Sequence, residues 1–317
     1  MKPQEQLSII IVNWNAGSQL VEVVASITQY HHGLVSAVII VDNASTDDSV
    51  AQVEALQNLP FQLHIIRNNE NRGFGAACNQ GAAGATGDYL LFLNPDTRLF
   101  ENSLPVPLTY MNDPQHLDVG IAGIQLLDEQ NQIARSCARF PTLGIFAAQA
   151  LGVNRLPKFR QLTQAMVEWR HDTNRIVNQV IGAFLIIRRS IFESLCGFDE
   201  RFFVYFEEVD LCFRTYQAGY HSVFLADAQA FHAGGGTSRQ VKAHRLFYSL
   251  RSRLIYGFKH FLPWQAWILV LITLSVEFIT RSIFSLKGSG LDGLRNTWRA
   301  YGMLWRDMRV IFRKNHH

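Results

Sequence analysis

Leu7-Ser-Ile-Ile-Ile-Val-Asn-Trp-Asn15 is the stretch that decides the fold. Its first six residues form a nearly continuous apolar, β-branched run, which suits a strand buried on both faces. Comparable runs recur at 37–41, 63–66 and 89–93, and helical stretches lie between them at about 18–30, 47–56 and 75–83. Strands alternating with helices imply right-handed βαβ units and a parallel sheet covered by helices on both faces. A sheet of that kind binds ligands beyond the carboxyl ends of its strands. Polar residues collect there: Asn13 and Asn15 after the first strand, Asp42 and Asn43 after the second, Asn68 to Arg72 after the third, and Asn94 to Asp96 after the fourth.

Past Asp96 the pattern changes. Segments 119–127 and 133–139 are expected to pair across the polar turn 128–132. Residues 140–175 lack a clear period and read as loop or short helices, whereas 177–187 and 222–225 return as strands. From Gln240 the chain reads as helical, with breaks at Pro263 and around 288–293.

With 317 residues, 48% of them hydrophobic and 17% charged, the chain can bury a large core in one or two domains. The net charge of +3 is unevenly spread, because Arg239 to His317 carries fourteen Lys or Arg against only Glu277, Asp292 and Asp307. A basic, apolar tail points to an anionic membrane surface, with nucleic acid the competing partner and not the expected one. Cys78, Cys137, Cys196 and Cys212 are scattered without a CxxC pair, so ordinary thiols in a reducing compartment are expected. The chain enters its first strand with no secretory leader, which places the protein in the cytoplasm, peripheral on the inner face of the cell membrane. Residues 261–276 carry no formal charge but fall short of the roughly 20 residues that span a bilayer. A buried helix and an interfacial helix led by Trp264 and Trp267 remain the two main readings, a true span the third.

Four motifs carry chemistry. Val41-Asp-Asn-Ala-Ser-Thr-Asp-Asp48 places Asp42 at a strand end and then a helix start, with Ser45 or Thr46 as expected caps. Asn71-Arg-Gly-Phe-Gly-Ala-Ala-Cys-Asn-Gln-Gly81 resembles a dinucleotide fingerprint, but Cys78 occupies the third glycine position and no suitable ribose-binding acid follows. Leu93-Asn-Pro-Asp-Thr97 aims one carboxylate out of a strand end. Cys196-Gly-Phe-Asp-Glu-Arg-Phe-Phe-Val-Tyr-Phe-Glu-Glu-Val-Asp210 sets Glu207, Glu208 and Asp210 at a helix start, where the dipole alone would favour acids.

In that order, with His232-Ala-Gly-Gly-Gly-Thr-Ser238 downstream, these motifs resemble the family 2 glycosyltransferases, particularly their rhamnosyltransferase-like branch, over about residues 7–253. The resemblance implies a GT-A fold: an α/β, Rossmann-like, mostly parallel sheet in residues 1–238, with a membrane-associating helical region in 239–317. Residues 1–97 would form the nucleotide-binding half and 98–238 the acceptor half. It implies that Val12, Asn13, Asn15, Asp42, Asn43, Arg72, Gly73, Asn79, Asn94, Pro95 and Asp96 bind a dTDP- or UDP-linked sugar. It also implies that Asp96 and His232 hold Mg²⁺ or Mn²⁺, and that the glycines after His232 fold over the donor. The family's Asp-x-Asp has Asn94 in its first place, and its catalytic Glu-Asp pair reads Glu207-Glu208. Glu208 is therefore the implied general base, with Glu207 and Asp210 as alternates or orienting groups. The implied reaction is inverting transfer of a sugar, with rhamnose from dTDP-rhamnose the expected one, to a polyprenyl-linked or glycan acceptor of the cell envelope. Two rivals share features of this pattern. A nucleotidyltransferase would need a glycine-rich triphosphate loop near the N-terminus, and a non-catalytic carbohydrate- or lipid-binding module would lack the carboxylates that are present.

Overall fold

The computed structural model describes residues 7–31, 33–234 and 242–314. β1 (Leu7–Asn13) is buried at every position and pairs in parallel with β2 (Val35–Asp42) on one side and β4 (Tyr89–Leu93) on the other. β3 (Gln62–Arg67) extends the parallel set beyond β2. Leu20, Val23, Val24 and Ile27 of α1 (Gln19–Tyr30) share a core with Ile9, Ile11, Val38, Ile40 and Leu91 of these strands. α2 (Ser49–Glu54) and α3 (Phe74–Ala82) follow β2 and β3. α3 approaches β1 so closely that a Cβ on Gly81 would stand 2.7 Å from Ile10.

The expected caps differ. α2 begins behind Asp48, and the Ser45 hydroxyl instead accepts the Asn15 N–H at 2.9 Å. Asp47 takes over the local role, accepting from the Ser49 hydroxyl at 2.6 Å.

Beyond β4 the sheet becomes mixed, with β5 (Thr97–Leu99), α4 (Pro105–Asn112), β6 (Val119–Leu127), β11 (Phe184–Arg188), α6 (Arg189–Ser194), α7 (Glu207–Gln217) and β12 (His221–His232). Its strand order is β3-β2-β1-β4-β11-β6-β12-β5, with β11 antiparallel to both neighbours and β12 parallel to β6. The hairpin expected over 119–139 is only two residue pairs long, between β6 and β7 (Ile133–Ala134). β8 (Cys137–Ala138) leaves it to pair with β10 (Gln179–Val180) as a separate two-stranded sheet. The strand expected over 177–187 is likewise divided: β9 (Arg175–Val177) joins β12, β10 joins β8, and pairing with β4 begins at Phe184. The pattern is apolar throughout, but the partner changes twice, and periodicity alone does not report partners.

The chain forms two compact units. One comprises Met1–Ala138, Trp169–Glu200 and Glu207–Thr237 and contains both sheets; the other comprises Arg139–Glu168, Arg201–Phe206 and Ser238–His317. The second unit holds α5 (Leu143–Leu151), α8 (Lys242–His260), α9 (Pro263–Ile272), a π-helical segment at Thr273–Glu277, and α10 (Phe278–Lys314). Both breaks expected from the sequence occur: α9 starts at Pro263, and Gly290 is non-helical inside α10 at φ 62°. There α10 doubles back, so that Phe278 lies against Trp298, Tyr301 and Trp305. Glu277 is buried beneath Arg253 and also accepts from Arg281 Nε at 2.7 Å. Residues 263–312 are long and apolar enough to cross a membrane by length and composition, and only 22% of their most apolar window is buried.

Candidate active site

The ends of β1 and β2 are locked together. The buried Asn13 amide nitrogen lies 2.7 Å from Asp42 Oδ1 and 2.9 Å from the Ser49 hydroxyl. Asp42 Oδ2 accepts the Ser45 N–H at 3.3 Å. Asp42 is thus fixed at the carboxyl end of β2. Asn13 Oδ1 has no donor among the described residues, an uncommon condition for a buried acceptor. Val12 is buried beside it. Asn15 adopts φ 53° and accepts the Thr46 N–H at 2.7 Å.

A second set of bonds ties the glycine motif to the same edge. Asn43 donates to the Gly73 carbonyl at 3.1 Å, and Asn68 donates to Asn43 Oδ1 at 3.0 Å. Gly73 has φ 87°, where a side chain would be strained. Arg72 next to it is exposed, and its guanidinium has no partner among the described residues. It is available to an anion. Asn79 has a different position from the one implied for it: it donates to the Phe198 carbonyl at 2.9 Å and Glu200 at 3.1 Å, and accepts the Phe198 N–H at 2.8 Å. Its amide latches α3 to the 198–200 loop.

At the end of β4, the Asn94 N–H donates to the Ala183 carbonyl at 3.0 Å, and Pro95 turns the chain so that Asp96 is only 9% exposed. β5 then pairs antiparallel with β12, setting His232 opposite Thr97. His232 Nε2 consequently lies 3.3 Å from Asp96 Oδ1, and the Ala233 N–H donates to the Asp96 carbonyl at 3.1 Å. Sheet register explains how residues 136 positions apart meet. Among the described residues no group of three or more His, Cys, Asp or Glu forms a metal cluster. The glycine loop expected to close over a donor, from Gly235 on, lies outside the described residues.

α7 supplies the acids. Tyr205 and Phe206 immediately before it both hold positive φ, at 67° and 71°. Such backbone costs about 1–3 kcal/mol per residue and concentrates at functional sites. Glu207 is buried and Glu208 half-buried, and each has a carboxylate oxygen without a donor among the described residues. The helix dipole favours their charged forms, but burial wins. Loss of solvent, followed by the neighbouring Glu208, pushes Glu207 well above the usual carboxylate range. Loss of solvent likewise raises Glu208. Glu208 Cβ lies 3.8 Å from where a Cβ on Gly182 would stand, and Gly182 adjoins Ala183, whose carbonyl holds Asn94. The 182–183 link therefore touches the Glu208 stem at one residue and holds the Asn94 N–H at the next.

Asp210 is fully buried and spent on Arg214, whose Nε donates to it at 2.7 Å. Arg214 also donates to the carbonyls of Leu195 and Gly197, both at 2.8 Å. Asp210 thus orients α7 against the loop before it, and Arg214 is a residue that sequence reasoning missed. Its signal was the Asp–Arg spacing of four on one helix face. Cys78 of α3 and Cys212 of α7 are buried thiols; burial raises the first well above its usual value and the second to about 12.

The sequence model described as "Glycosyl transferase family 2" matches residues 8–196. The chain belongs to glycosyl transferase family 2. The family match ends just before the loop leading to α7, so the acids Glu207, Glu208 and Asp210 stand beyond it. Among relatives, N-acetylglucosaminyl-diphospho-decaprenol L-rhamnosyltransferase of Mycobacterium tuberculosis is 27% identical over 272 residues, covering 82% of this chain and 87% of that protein. Rhamnosyltransferase WbbL of Escherichia coli K12 is 28% identical over 177 residues, 54% of this chain and 62% of that one. The mannosyltransferase PcManGT of Pyrobaculum calidifontis, solved with GDP-Man and Mn²⁺, superposes with a TM-score of 0.56 at 16% identity, covering 95% of this chain and 76% of that one. At that identity the superposition speaks for the GT-A fold alone.

Proposed function

We propose that this glycosyltransferase moves L-rhamnose from dTDP-rhamnose to a polyprenyl-linked glycan acceptor in cell-envelope synthesis, with inversion at the anomeric carbon. A UDP-linked sugar is the alternative donor. The sugar and the lipid-linked acceptor are inferred from the mycobacterial relative, whose name carries both. The observation that carries the chemistry is the proximity of Glu208 to the Gly182–Ala183 link, whose Ala183 carbonyl also holds Asn94. An acceptor hydroxyl there would lose its proton to Glu208 while its oxygen bonds to the anomeric carbon. The bond from that carbon to the diphosphate breaks in the same displacement. A carboxylate of raised proton affinity suits such a base.

Asp96 and His232 fit a divalent cation: an oxygen and a nitrogen, both largely withdrawn from solvent and already adjacent, with diphosphate and water left to complete the shell. Mg²⁺ or Mn²⁺ held there would offset the charge of the departing nucleoside diphosphate. Arg72 would add a direct contact to that diphosphate, and residues 1–97 would cradle the nucleotide while 98–238 face the acceptor. The exposed Trp264, Trp267 and Leu271 support attachment of the helical region to the inner membrane face.

The test is a panel of nucleotide sugars with Mg²⁺ or Mn²⁺, read by donor hydrolysis and by protection against melting. dTDP-rhamnose should protect best and hydrolyse slowly without acceptor. Pyrophosphate release from nucleoside triphosphates, with no response to any nucleotide sugar, would overturn the proposal.

A further inference from the structure

A groove of about 1040 Å³ lies in the second unit between the start of α8 and the later part of α10. Lys242, Arg295, Arg299 and Arg306 line it together with Leu291, Leu294, Trp298 and Met303. Arg295, Arg299 and Arg306 recur at spacings of four and seven, which puts them on one face of the helix. None of the four cations has a partner among the described residues, and no acid lines the groove. Asp307, the nearest acid in sequence to Arg306, is committed to Arg251 at 2.6 Å.

Four like charges gathered without counter-ions repel one another, and a compact polyanion relieves that repulsion. Indole, two leucines and a methionine beside them need an apolar partner as well. Trp298 is 58% exposed and Leu291 77%, so this apolar wall is open to a ligand. A nucleic-acid strand would use the charge and leave the leucines wet, and a free phosphate would do the same. We infer that this groove binds a diphosphate-bearing isoprenoid lipid, with the diphosphate held by the arginines and Lys242 and the prenyl chain laid along Leu291, Leu294 and Trp298. Pockets of roughly 300–1,000 Å³ bury drug-sized ligands, so the volume suffices for a diphosphate and the first isoprene units. The inference rests on the lipid-linked acceptor proposed above and deepens it by giving the lipid a place on this chain. The groove lies wholly within the helical unit.

Gly302 offers a clean probe. It lines the groove, and a Cβ there would meet nothing within 4 Å. Gly302→Leu would therefore add bulk to the groove from a Cβ that meets no neighbour, without altering charge. The full-length protein is titrated calorimetrically with farnesyl diphosphate, farnesol, inorganic pyrophosphate and dihexanoyl phosphatidylglycerol, with dTDP and Mg²⁺ saturating the nucleotide site. Wild type should bind farnesyl diphosphate at least tenfold more tightly than each of the other three. Gly302→Leu and the double variant Arg295→Gln/Arg299→Gln should each weaken it about tenfold or more, since charge-assisted contacts to phosphate are among the stronger hydrogen bonds. Arg295→Lys/Arg299→Lys should retain most of the affinity. Circular dichroism and dTDP binding verify that each variant is folded. Unchanged farnesyl diphosphate affinity in the folded Gly302→Leu or double Gln variant would overturn the inference. So would equal binding of pyrophosphate, which would make the chain irrelevant, or of phosphatidylglycerol, which would make the groove a general anionic-lipid surface. Loss of dTDP-rhamnose protection with farnesyl diphosphate binding intact would sink the rhamnosyl donor and leave the groove standing.

Discussion

Replacing Glu207 and Glu208 one at a time by Gln separates their chemical role from their structural cost. Both carboxyls hold protons more tightly in the fold than in the open chain, whose reference value is 4.5. A group with a raised folded pKa contributes its full stability below the unfolded value and loses it as pH rises toward the folded value. Over that window the unfolded chain releases protons that the fold retains, so wild type should lose stability from about pH 4.5 upward and then level off. Leaving a buried polar group unsatisfied costs about 1–3 kcal/mol, and Glu207 and Glu208 each have one such oxygen. Glu207→Gln stays neutral at every pH and so avoids burying a charge, which should raise stability at pH 8 by about 1–3 kcal/mol, the order of one unsatisfied buried polar group. At roughly 2–4 °C per kcal/mol that is an increase of several degrees in Tm, shrinking at pH 5 where wild type regains its protons. Glu208→Gln should show a smaller gain in the same direction, because Glu208 retains some solvent. Turnover should divide the other way. Glu208→Gln loses about 10²–10⁴-fold in kcat with donor affinity intact, as expected for loss of a general base. Glu207→Gln should keep most activity. Differential scanning fluorimetry at both pH values and initial rates at saturating donor give the two readouts. A larger loss of turnover in Glu207→Gln would refute the base assignment. A Tm at pH 8 that does not rise would refute the claim that burial outweighs the helix dipole.

Three further outcomes are expected. Asp96→Ala should abolish cation-dependent donor binding while far-ultraviolet circular dichroism stays unchanged; equal calorimetric affinity in mutant and wild type with Mg²⁺ or Mn²⁺ would remove Asp96 from the cation site. Arg214→Met strands the buried Asp210 and two loop carbonyls, and breaking a buried pair costs about 3–5 kcal/mol; a urea midpoint near that of wild type would show that the pair is not holding α7. Trp264→Asp with Leu271→Asp, both at exposed positions, should release the protein from phosphatidylglycerol vesicles in a flotation assay, and retention would reduce the helical region to an ordinary packing unit.

What was legible in the sequence followed from local constraints. Runs such as 7–13 and 89–93 have one physical solution, a strand buried on both faces, and Pro263 and the Gly288–Gly293 stretch can only interrupt a helix. The polar residues at strand ends were visible for the same reason, since a parallel sheet leaves its carboxyl edge open. Partner choice was not local, and it accounts for the parts that were missed. Nothing in Cys137-Ala138 distinguishes pairing with β10 from continuing the hairpin with β6, because a two-residue extended segment carries no local mark of its partner. Asn79 shows the limit for single side chains: its place in the glycine motif suggested a ligand contact, whereas its three hydrogen bonds reach a loop some 120 residues away. Asp210 shows the converse. Its position among three acids suggested chemistry, and a guanidinium one turn on takes its charge instead. Of the two acids left without a cation among the described residues, Glu208 is the one that approaches Gly182. Glu207 shares the raised proton affinity and the lack of an ion-pair partner among the described residues, so what favours Glu208 as the base is position: it stays half-buried next to Gly182, whereas Glu207 is buried outright.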